Sequence, residues 1–493
     1  MRDWLRDLPL LLQMAAITAL SMLLPAAHAT VTGDHHVARA FFYSAVILLV
    51  LLGFVALAVT GHRPRDLTRA HLTALLWAYL LLPVLMALPM TQALPGADWV
   101  DLWFEMISAF TTTGATLLDA AAVPDTLHLW RAQAGWMGGF VILVAAAAIL
   151  APVNLGGAEV ITGRVPGQRD DGPYWFTGTV DPAARVRRHA GQVLPVYAGV
   201  TLALWLGLIL AGGKGLPAFV LALSSVSTSG ITMGQPVPGR WAEVLILLVL
   251  LMALSRRFWP GAAMRREVGP IRQDPELRLA LVITGVVTAI LFLRHAVAAT
   301  DGQGLGPALA ALWGAVFTTI SFLTTTGFVS ADWETARFWS GLDTPGVVLA
   351  GLAILGGGVA TTAGGVKLLR VHALFRHSGR EMEKLIHPNS VGARGFQRDG
   401  AYAAWIFFML TALSIAAGTA VLTLLGQGFE PALVLTLSAL TTTGHLAQLS
   451  AESPIALALL SPWVKLAMGG LMIVGRLETL ALLVFLVPAT LRR

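Results

Sequence analysis

The most constraining feature of this sequence is a short hydroxyl-rich tract ending in glycine, which occurs four times. The copies are Thr111-Thr112-Thr113-Gly114, Ser227-Thr228-Ser229-Gly230, Thr324-Thr325-Thr326-Gly327 and Thr441-Thr442-Thr443-Gly444. Each copy follows a short apolar stretch and precedes a longer one. Recurrence at roughly hundred-residue intervals indicates an internal repeat. The chain is therefore predicted to contain four copies of one unit.

The composition is that of a membrane protein. Of 493 residues, 56% are hydrophobic and 12% are charged, and the mean hydropathy is +0.73. Ten apolar stretches have the length of a membrane helix, about 18 residues or more. They cover 8–27, 40–60, 70–90, 133–152, 190–212, 241–259, 277–299, 345–373, 399–425 and 462–489. The absence of cysteine excludes disulfides, thiolate chemistry and cysteine metal sites.

Lysine and arginine are distributed unevenly between the loops. With the N-terminus inside, the outer segments hold only Arg39, Arg131, Lys214, Arg240 and Arg337, whereas most of the 33, including Lys367 and Arg370, are inside. Positive residues are retained on the cytoplasmic side, so both termini are predicted inside and all four tracts outside. The basic loops are also suited to anionic lipid or a cytosolic protein. An alternative for the first stretch is a cleavable signal peptide ending near 27–29.

The stretch before each tract reads as too short to cross a bilayer. In the first unit, residues 98–110 are amphipathic and are predicted to form a re-entrant half-helix. Non-helical backbone at membrane depth is tolerated only where it is buried or lines water. The tract carbonyls can then replace the hydration shell of a cation. An alternative explanation is that the small residues permit close packing of helices. This explanation is better for a single tract than for four tracts at equivalent positions.

Further motifs resemble those of the Trk/Ktr/HKT potassium-uptake superfamily. They are Gly135-Trp136-Met137-Gly138-Gly139, Gly356-Gly357-Gly358, Ala363-Gly364-Gly365-Val366-Lys367 and Gly475-Arg476-Leu477-Glu478. Two extra N-terminal spans resemble the TrkH/TrkG branch. The resemblance implies a potassium permease of the bacterial inner membrane, usually a homodimer, that works with a cytosolic nucleotide-binding TrkA-type subunit. It implies that potassium is the transported substrate. It implies no enzyme activity, bound cofactor or nucleic-acid partner.

The expected fold is an all-α integral membrane protein. Four pseudo-fourfold helix–pore-helix–helix repeats surround one central pore, after two N-terminal transmembrane helices. The expected units are 1–66 for the N-terminal helices and 67–160, 161–265, 266–385 and 386–493 for the repeats.

The expected potassium-binding filter consists of all residues of the four tracts. The expected gate consists of Gly356, Gly357, Gly358, Thr361, Thr362, Gly364, Gly365 and Arg476. Glycine-rich backbone resists regular helix, and an intramembrane arginine must face a cavity or a partner. The resemblance implies a flexible loop and a pore-facing arginine below the filter. The alternatives are small-residue packing for the loop and a salt bridge for Arg476.

Other polar residues have weaker interpretations. By the resemblance, Gly114 favours potassium, because a serine there accompanies sodium permeability in some plant members. Ser227 and Ser229 depart from the threonine pattern, and His445 follows the fourth glycine. Lys465 and Arg294 are expected to snorkel. Outer carboxylates that could concentrate cations are Asp98, Asp101, Glu105, Asp119, Asp125, Asp332, Glu334 and Asp343.

The main alternative function is a proton- or sodium-coupled potassium symporter. Coupling normally needs a titratable or second-ion site in the path, and the sequence offers only Glu478 as a clear intramembrane carboxylate. A membrane enzyme is disfavoured because no metal spacing or nucleophile motif lies at a common membrane face.

Overall fold

The computed structural model describes residues 8–59, 67–153, 155–162, 182–260, 271–296, 305–341, 346–387, 398–451 and 453–478. All regular secondary structure in these ranges is helical, which confirms the predicted all-α class. The α-helices are α1 (Leu10–Ser21), α2 (Leu23–Val31), α3 (His35–Val59), α4 (Leu67–Ala93), α5 (Trp99–Phe110), α6 (Asp125–Ala145), α7 (Ala158–Thr162), α8 (Pro182–Leu210), α9 (Gly215–Ser227), α10 (Gly239–Leu250), α11 (Pro275–Ala296), α12 (Leu305–Leu323), α13 (Trp333–Ser340), α14 (Gly346–Leu355), α15 (Leu368–Ile386), α16 (Arg398–Leu424), α17 (Phe429–Leu440), α18 (Leu446–Leu449) and α19 (Pro462–Leu477).

The N-terminal helices pack against the two long helices of the first repeat, α4 and α6. Helices α1 and α3 contact α4, and α2 contacts α6. The Gln133 side chain donates to the Ser21 carbonyl at 2.7 Å, and His28 Nδ1 lies 2.9 Å from the Thr126 hydroxyl. These helices are therefore attached to the repeats by specific polar contacts as well as by apolar packing.

The repeats are arranged cyclically. Helices α5, α9, α12 and α17 each lead into one tract, and each contacts the preceding helix of its own repeat. Each also contacts the helix that follows the tract in the preceding repeat: α5 with α19, α9 with α6, α12 with α10 and α17 with α14. Because the last repeat contacts the first in the same way, the four repeats close around one axis.

Eight segments of the described chain are long and apolar enough to cross a membrane. They are Leu10–Val31, His35–Val59, Ala70–Ala93, Asp125–Leu150, Ala183–Leu210, Pro275–Phe292, Gly306–Leu323 and Gly400–Leu424. Seven of them match predicted spans. The eighth, Gly306–Leu323, lies in α12, so the helix before the third tract is longer than the half-helix that the sequence predicts.

The predicted spans over 241–259 and 345–373 are not continuous α-helices. The span over 241–259 ends as an α-helix at Leu250 and continues in short 3₁₀ turns. The span over 345–373 is interrupted between Leu355 and Leu368, where glycine-rich backbone leaves the helical conformation. The last span is helical to Leu477, and residues 479–489 lie outside the described part.

Candidate functional site

The four tracts share one unusual backbone conformation. The second residue of each tract has a positive φ, with values of 59° for Thr112, 54° for Thr228, 56° for Thr325 and 54° for Thr442. A β-branched residue in the left-handed region is rare and strained, and the surrounding structure must hold it there. The same strain at the same position in four copies marks the tracts as structurally equivalent segments.

Hydroxyl groups hold this conformation within each repeat. The first residue of every tract donates its hydroxyl to the carbonyl four residues earlier, at 2.7–2.9 Å. The same hydroxyl lies 2.8–3.2 Å from the hydroxyl of the third residue. Ser227 and Ser229 make both contacts as the threonines do, so the departure of repeat two preserves the hydroxyl pair.

A serine that the sequence analysis missed belongs to the same arrangement. The third residue of each tract donates its N–H to a carbonyl five residues earlier, at 2.8–2.9 Å. That residue is always serine: Ser108, Ser224, Ser321 and Ser438. It stands six residues before the glycine in every copy, and this fixed spacing is the signal that could have found it.

The tracts adjoin one another through their glycines. A Cβ added to Gly114 would overlap the Ser229 carbonyl oxygen of the second tract. One added to Gly230 would likewise overlap the Thr326 carbonyl oxygen of the third. Glycine is therefore required by close approach as well as by backbone conformation at these two positions.

The fourth tract closes the ring. The Thr443 hydroxyl lies 3.5 Å from the Thr325 carbonyl oxygen, and the Gly444 N–H donates to the Thr113 carbonyl at 2.7 Å. Gly444 differs from Gly114, Gly230 and Gly327, whose φ values are 75°, 66° and 81°, since its own φ is not positive. The second residue of the tract has the same conformation in all four copies, whereas the glycine of the fourth copy differs in φ from the other three.

The glycine motifs of the helices after the tracts permit this tight ring. On α6, Gly138 lies against the Phe110 carbonyl, and a Cβ on Gly135 would be 3.0 Å from the Ser229 hydroxyl oxygen. On α19, Gly475 lies against the Leu440 carbonyl in the same way. These glycines let the helix backbone approach the C-terminal ends of α5 and α17 and the second tract closely.

The interruption between α14 and α15 lies directly below the ring. The Gly364 N–H donates to the Thr325 hydroxyl at 2.7 Å, and a Cβ on Gly364 would overlap the Thr441 carbonyl oxygen. Gly356 and Gly365, at its two ends, have φ values of 72° and 76°. We call residues 356–367 the subfilter loop.

The subfilter loop is held by contacts to the second repeat and to α11 of its own repeat. The Gly358 N–H and the Thr361 hydroxyl donate to the Ala253 carbonyl at 2.9 and 3.0 Å. The Val359 N–H donates to Glu276 Oε1 at 2.7 Å. The loop therefore has a defined structure, in which the predicted gate glycines provide sharp turns and close contacts.

Arg476 lies beside this loop and is 4% exposed. Its Nη1 donates to the Thr362 carbonyl at 2.6 Å, whereas Nε and Nη2 are buried without a hydrogen-bond partner. In the described part of the chain it forms no ion pair, which argues against the salt-bridge alternative. A cavity of about 20 Å³, lined by Arg476, Thr361 and Gly364 among others, has room for about one water molecule.

A buried charge cluster below the loop was not predicted. Arg370 is fully buried and lies 2.7 Å from both Glu159 Oε1 and Glu478 Oε2. It also donates to the Val366 carbonyl at 3.2 Å and lies 3.6 Å above the Phe407 ring centroid. The prediction that Arg370 is a basic loop residue is wrong. This triad joins the inner ends of repeats one, three and four at the start of α15.

Lys367, another basic residue assigned to the inner loops, is also buried, and its ammonium group donates to the Ala363 carbonyl. It therefore belongs to the subfilter loop rather than to an exposed basic surface.

Several outer charges also differ from their predictions. Glu105 is fully buried in α5 and forms a 2.7 Å ion pair with Arg131. Its Oε1 also accepts the Leu118 N–H, which fixes the chain after the first tract. Lys465 pairs with Asp101 at 2.6 Å and is 4% exposed, so it does not snorkel. The Arg294 side chain and Asp343 lie outside the described residues.

His445 is half-buried between the second and third tracts. A Cβ on Gly230 would be 3.1 Å from His445 Cε1, and one on Gly327 would be 3.1 Å from His445 Nδ1. Burial beside the filter, and then the charge of Arg131, lower the pKa of His445 to about 4. The imidazole is therefore neutral at physiological pH.

Comparison with known proteins shows the family of the chain. Residues 246–490 match the family model described as "TrkH: Cation transport protein". The chain is 30% identical over 352 residues to the Trk system potassium uptake protein TrkH of Halomonas elongata, covering 68% of each chain. It is 26% identical to TrkH of Escherichia coli K12, covering 80% of each.

A solved structure shows the same fold. The crystal structure of the potassium transporter TrkH from Vibrio parahaemolyticus superposes with a TM-score of 0.80 over 100% of this chain and 99% of that one, at 24% identity. These relatives are named as potassium uptake or transport proteins, so the family is one of transporters and not of enzymes, as the sequence predicts. The chain belongs to the TrkH family of cation transport proteins.

Proposed function

We propose that this protein takes up potassium across the bacterial inner membrane through the ring of four tracts. The observation that carries the proposal is the closed ring, in which four tracts share one strained conformation and each abuts the next. Carbonyl oxygens arranged in such a ring replace the hydration shell of a permeating cation. The names of the relatives support potassium as the ion, and the proposed binding residues are those of the four tracts.

The gate in this proposal is the subfilter loop together with Arg476. The loop lies against the third and fourth tracts, and the small cavity beneath leaves little room for a hydrated ion. The arginine remains charged at neutral pH, and repulsion of a cation is strong in a low-dielectric passage. Its bond to Thr362 keeps the loop in this position. Opening then requires the loop to leave the axis.

Uncoupled conduction is favoured over symport. Coupling needs a carboxylate that can exchange its proton or ion in the path. Glu159 and Glu478 are both ion-paired with Arg370, and Glu276 accepts the Val359 N–H. These contacts commit the buried carboxylates nearest the loop to structural roles.

The proposed assembly is the one that the resemblance to the Trk/Ktr/HKT superfamily implies. The protein is a homodimer with both termini in the cytoplasm, and a cytosolic nucleotide-binding TrkA-type subunit controls it. The five units 1–66, 67–160, 161–265, 266–385 and 386–493 remain the proposed domain division.

Ion flux into liposomes containing the purified full chain tests the function. Potassium and rubidium should enter well ahead of sodium and lithium, driven by an imposed membrane potential and without a proton or sodium gradient. Gly114→Ser should weaken the preference, because the new side chain would overlap the Ser229 carbonyl. Gly53→Ser, at a site with open space, is the matched control. Equal sodium and potassium flux in the parent protein would overturn the proposal.

A further inference from the structure

A second cavity, separate from the filter, lies at the inner ends of the helices. It has a volume of about 500 Å³ and lies between α7, α11, α15 and α16. Its polar lining includes Gln273, Arg278, His372, Arg376 and Arg380. None of these residues has a role in the proposed conduction path.

The lining of this cavity is strongly cationic. His372, Arg376 and Arg380 follow one another at intervals of four on α15, so they share one helix face. Arg278 adds a further guanidinium from α11. Among the described lining residues there is no aspartate or glutamate.

The nearest acidic residues on α11 and the turn before it are committed elsewhere. Asp274 Oδ2 accepts the Ser255 hydroxyl at 2.7 Å, and Oδ1 accepts the Glu276 N–H at 2.9 Å. Glu276 accepts the Val359 N–H of the subfilter loop. These two carboxylates therefore already accept hydrogen bonds from groups outside the cavity lining.

Two helix N-termini add to the positive potential. Pro275 and Arg278 belong to the first turn of α11, and Gly400 and Ala401 belong to the first turn of α16. The first N–H groups of a helix and its dipole favour a bound anion. Guanidinium groups and helix N-termini together are the donors that phosphate oxygens prefer.

The surroundings of the cavity indicate the depth of the lipid headgroups. Tyr402 and Trp405 follow directly on α16, are exposed, and stack with ring centroids 6.4 Å apart. Exposed tyrosine and tryptophan at the end of a spanning helix are typical of the membrane interface. Phe375, 69% exposed, lies on α15 next to Arg376. A ligand in this cavity can therefore remain attached to the bilayer.

We propose that this cavity binds the phosphate of an anionic phospholipid from the inner leaflet. The phosphodiester lies among the three arginines and the two helix N-termini, and the acyl chains extend past Tyr402 and Trp405. Basic pockets between helices on the cytoplasmic side are suited to such headgroups. The inference depends on the inward orientation of the N-terminus and is independent of ion selectivity.

Native mass spectrometry of the purified full chain tests this site. The detergent-solubilised protein is titrated with phosphatidylglycerol or with phosphatidylcholine, and retained lipid is counted. Arg278→Gln/Arg376→Gln should weaken phosphatidylglycerol retention roughly 30-fold, from about fivefold per arginine. Arg187→Gln/Arg188→Gln, which removes two exposed inner arginines of α8, is the charge-matched control and should retain the parental affinity.

The outcomes are decisive in both directions. Selective loss of phosphatidylglycerol in the cavity variant, with parental thermal stability, supports the site. Equal retention in the parent and both variants overturns it, as does equal retention of the two lipids by the parent. Displacement of phosphatidylglycerol by millimolar inorganic phosphate would show that the cavity binds free phosphate instead, and it would also overturn the lipid assignment. If the cavity variant is less stable, the single substitution Arg376→Gln, at an exposed position, replaces it.

Discussion

The ring of tracts and the region directly below it are held in place by different kinds of contact. In the ring, hydrogen bonds within each repeat fix the tract, and the same hydroxyl and serine contacts occur four times. Below the ring, the subfilter loop contacts the second repeat through Ala253, and the Arg370 triad joins residues of the first, third and fourth repeats. Each tract is a local structure that occurs four times, whereas the subfilter loop and the triad take their form only in the assembled fold. The proposed selectivity filter and the proposed gate therefore have separable structural bases.

The largest expected effect is the loss of stability on removing the arginine of the buried triad. Arg370→Met should destabilise the protein by about 3–5 kcal/mol, because Glu159 and Glu478 would remain buried without their partner. Thermal unfolding in detergent measures the change. Arg376→Met, at an exposed position of the same helix, should unfold near the parental temperature.

A compensated variant sharpens that prediction. Adding Glu159→Gln and Glu478→Gln to Arg370→Met should recover part of the stability, since no unpaired charge remains. An Arg370→Met protein as stable as the parent would show that the three repeats are not joined by this triad.

The next effect concerns the gate. Arg476→Ala should raise basal potassium flux, because it removes the positive charge and a charge-assisted bond to the Thr362 carbonyl, worth about 1.5–3 kcal/mol. Arg476→Lys keeps the charge and should remain near the parent. Tracer rubidium influx in liposomes measures both. A well-folded Arg476→Ala protein with parental or lower flux would contradict the proposed gate.

A smaller effect is expected within the filter. Thr111→Val removes one hydroxyl that bonds to the Ile107 carbonyl and the Thr113 hydroxyl. At about 1 kcal/mol per bond, it should lower the rubidium-over-sodium flux ratio several-fold while basal gating is unchanged. Thr111→Ser should behave as the parent, because Ser227 makes the same contacts in repeat two. Equal ratios for the valine and serine variants would show that the hydroxyl pairs do not hold the filter.

The smallest effect concerns pH. Because the pKa of His445 is lowered to about 4, its protonated form is populated only below that value, and any contribution of the neutral form is constant from about pH 5 to 8. Potassium flux in the parent should show no inflection attributable to His445 over that range, and His445→Gln should have a profile of the same shape. An inflection near pH 6 that His445→Gln abolishes would identify a pH sensor.

The periodic features were predictable because their signals are local. The repeats, the tracts and the break after Leu355 are visible as runs of apolar residues, hydroxyls and glycines, and each forms its structure largely from neighbours in the chain. Inspection of local sequence patterns could also have found Ser108 and its three equivalents, because their spacing to the glycine is fixed. It could not distinguish Glu105, a buried partner of Arg131, from a solvated carboxylate, because charge alone does not reveal burial.

The sequence by itself determined the membrane class, the number of repeats and the composition of the four tracts, since apolar length and repeated hydroxyl–glycine tracts depend on residues near one another in the chain. Only the tertiary structure decided which charges pair, as in Arg370 with Glu159 and Glu478, and where the tracts meet, as in Gly444 with Thr113. The physical reason is that burying a charge or a backbone polar group is favourable only with a partner. Here those partners come from repeats far apart in the chain, which meet only when the ring closes.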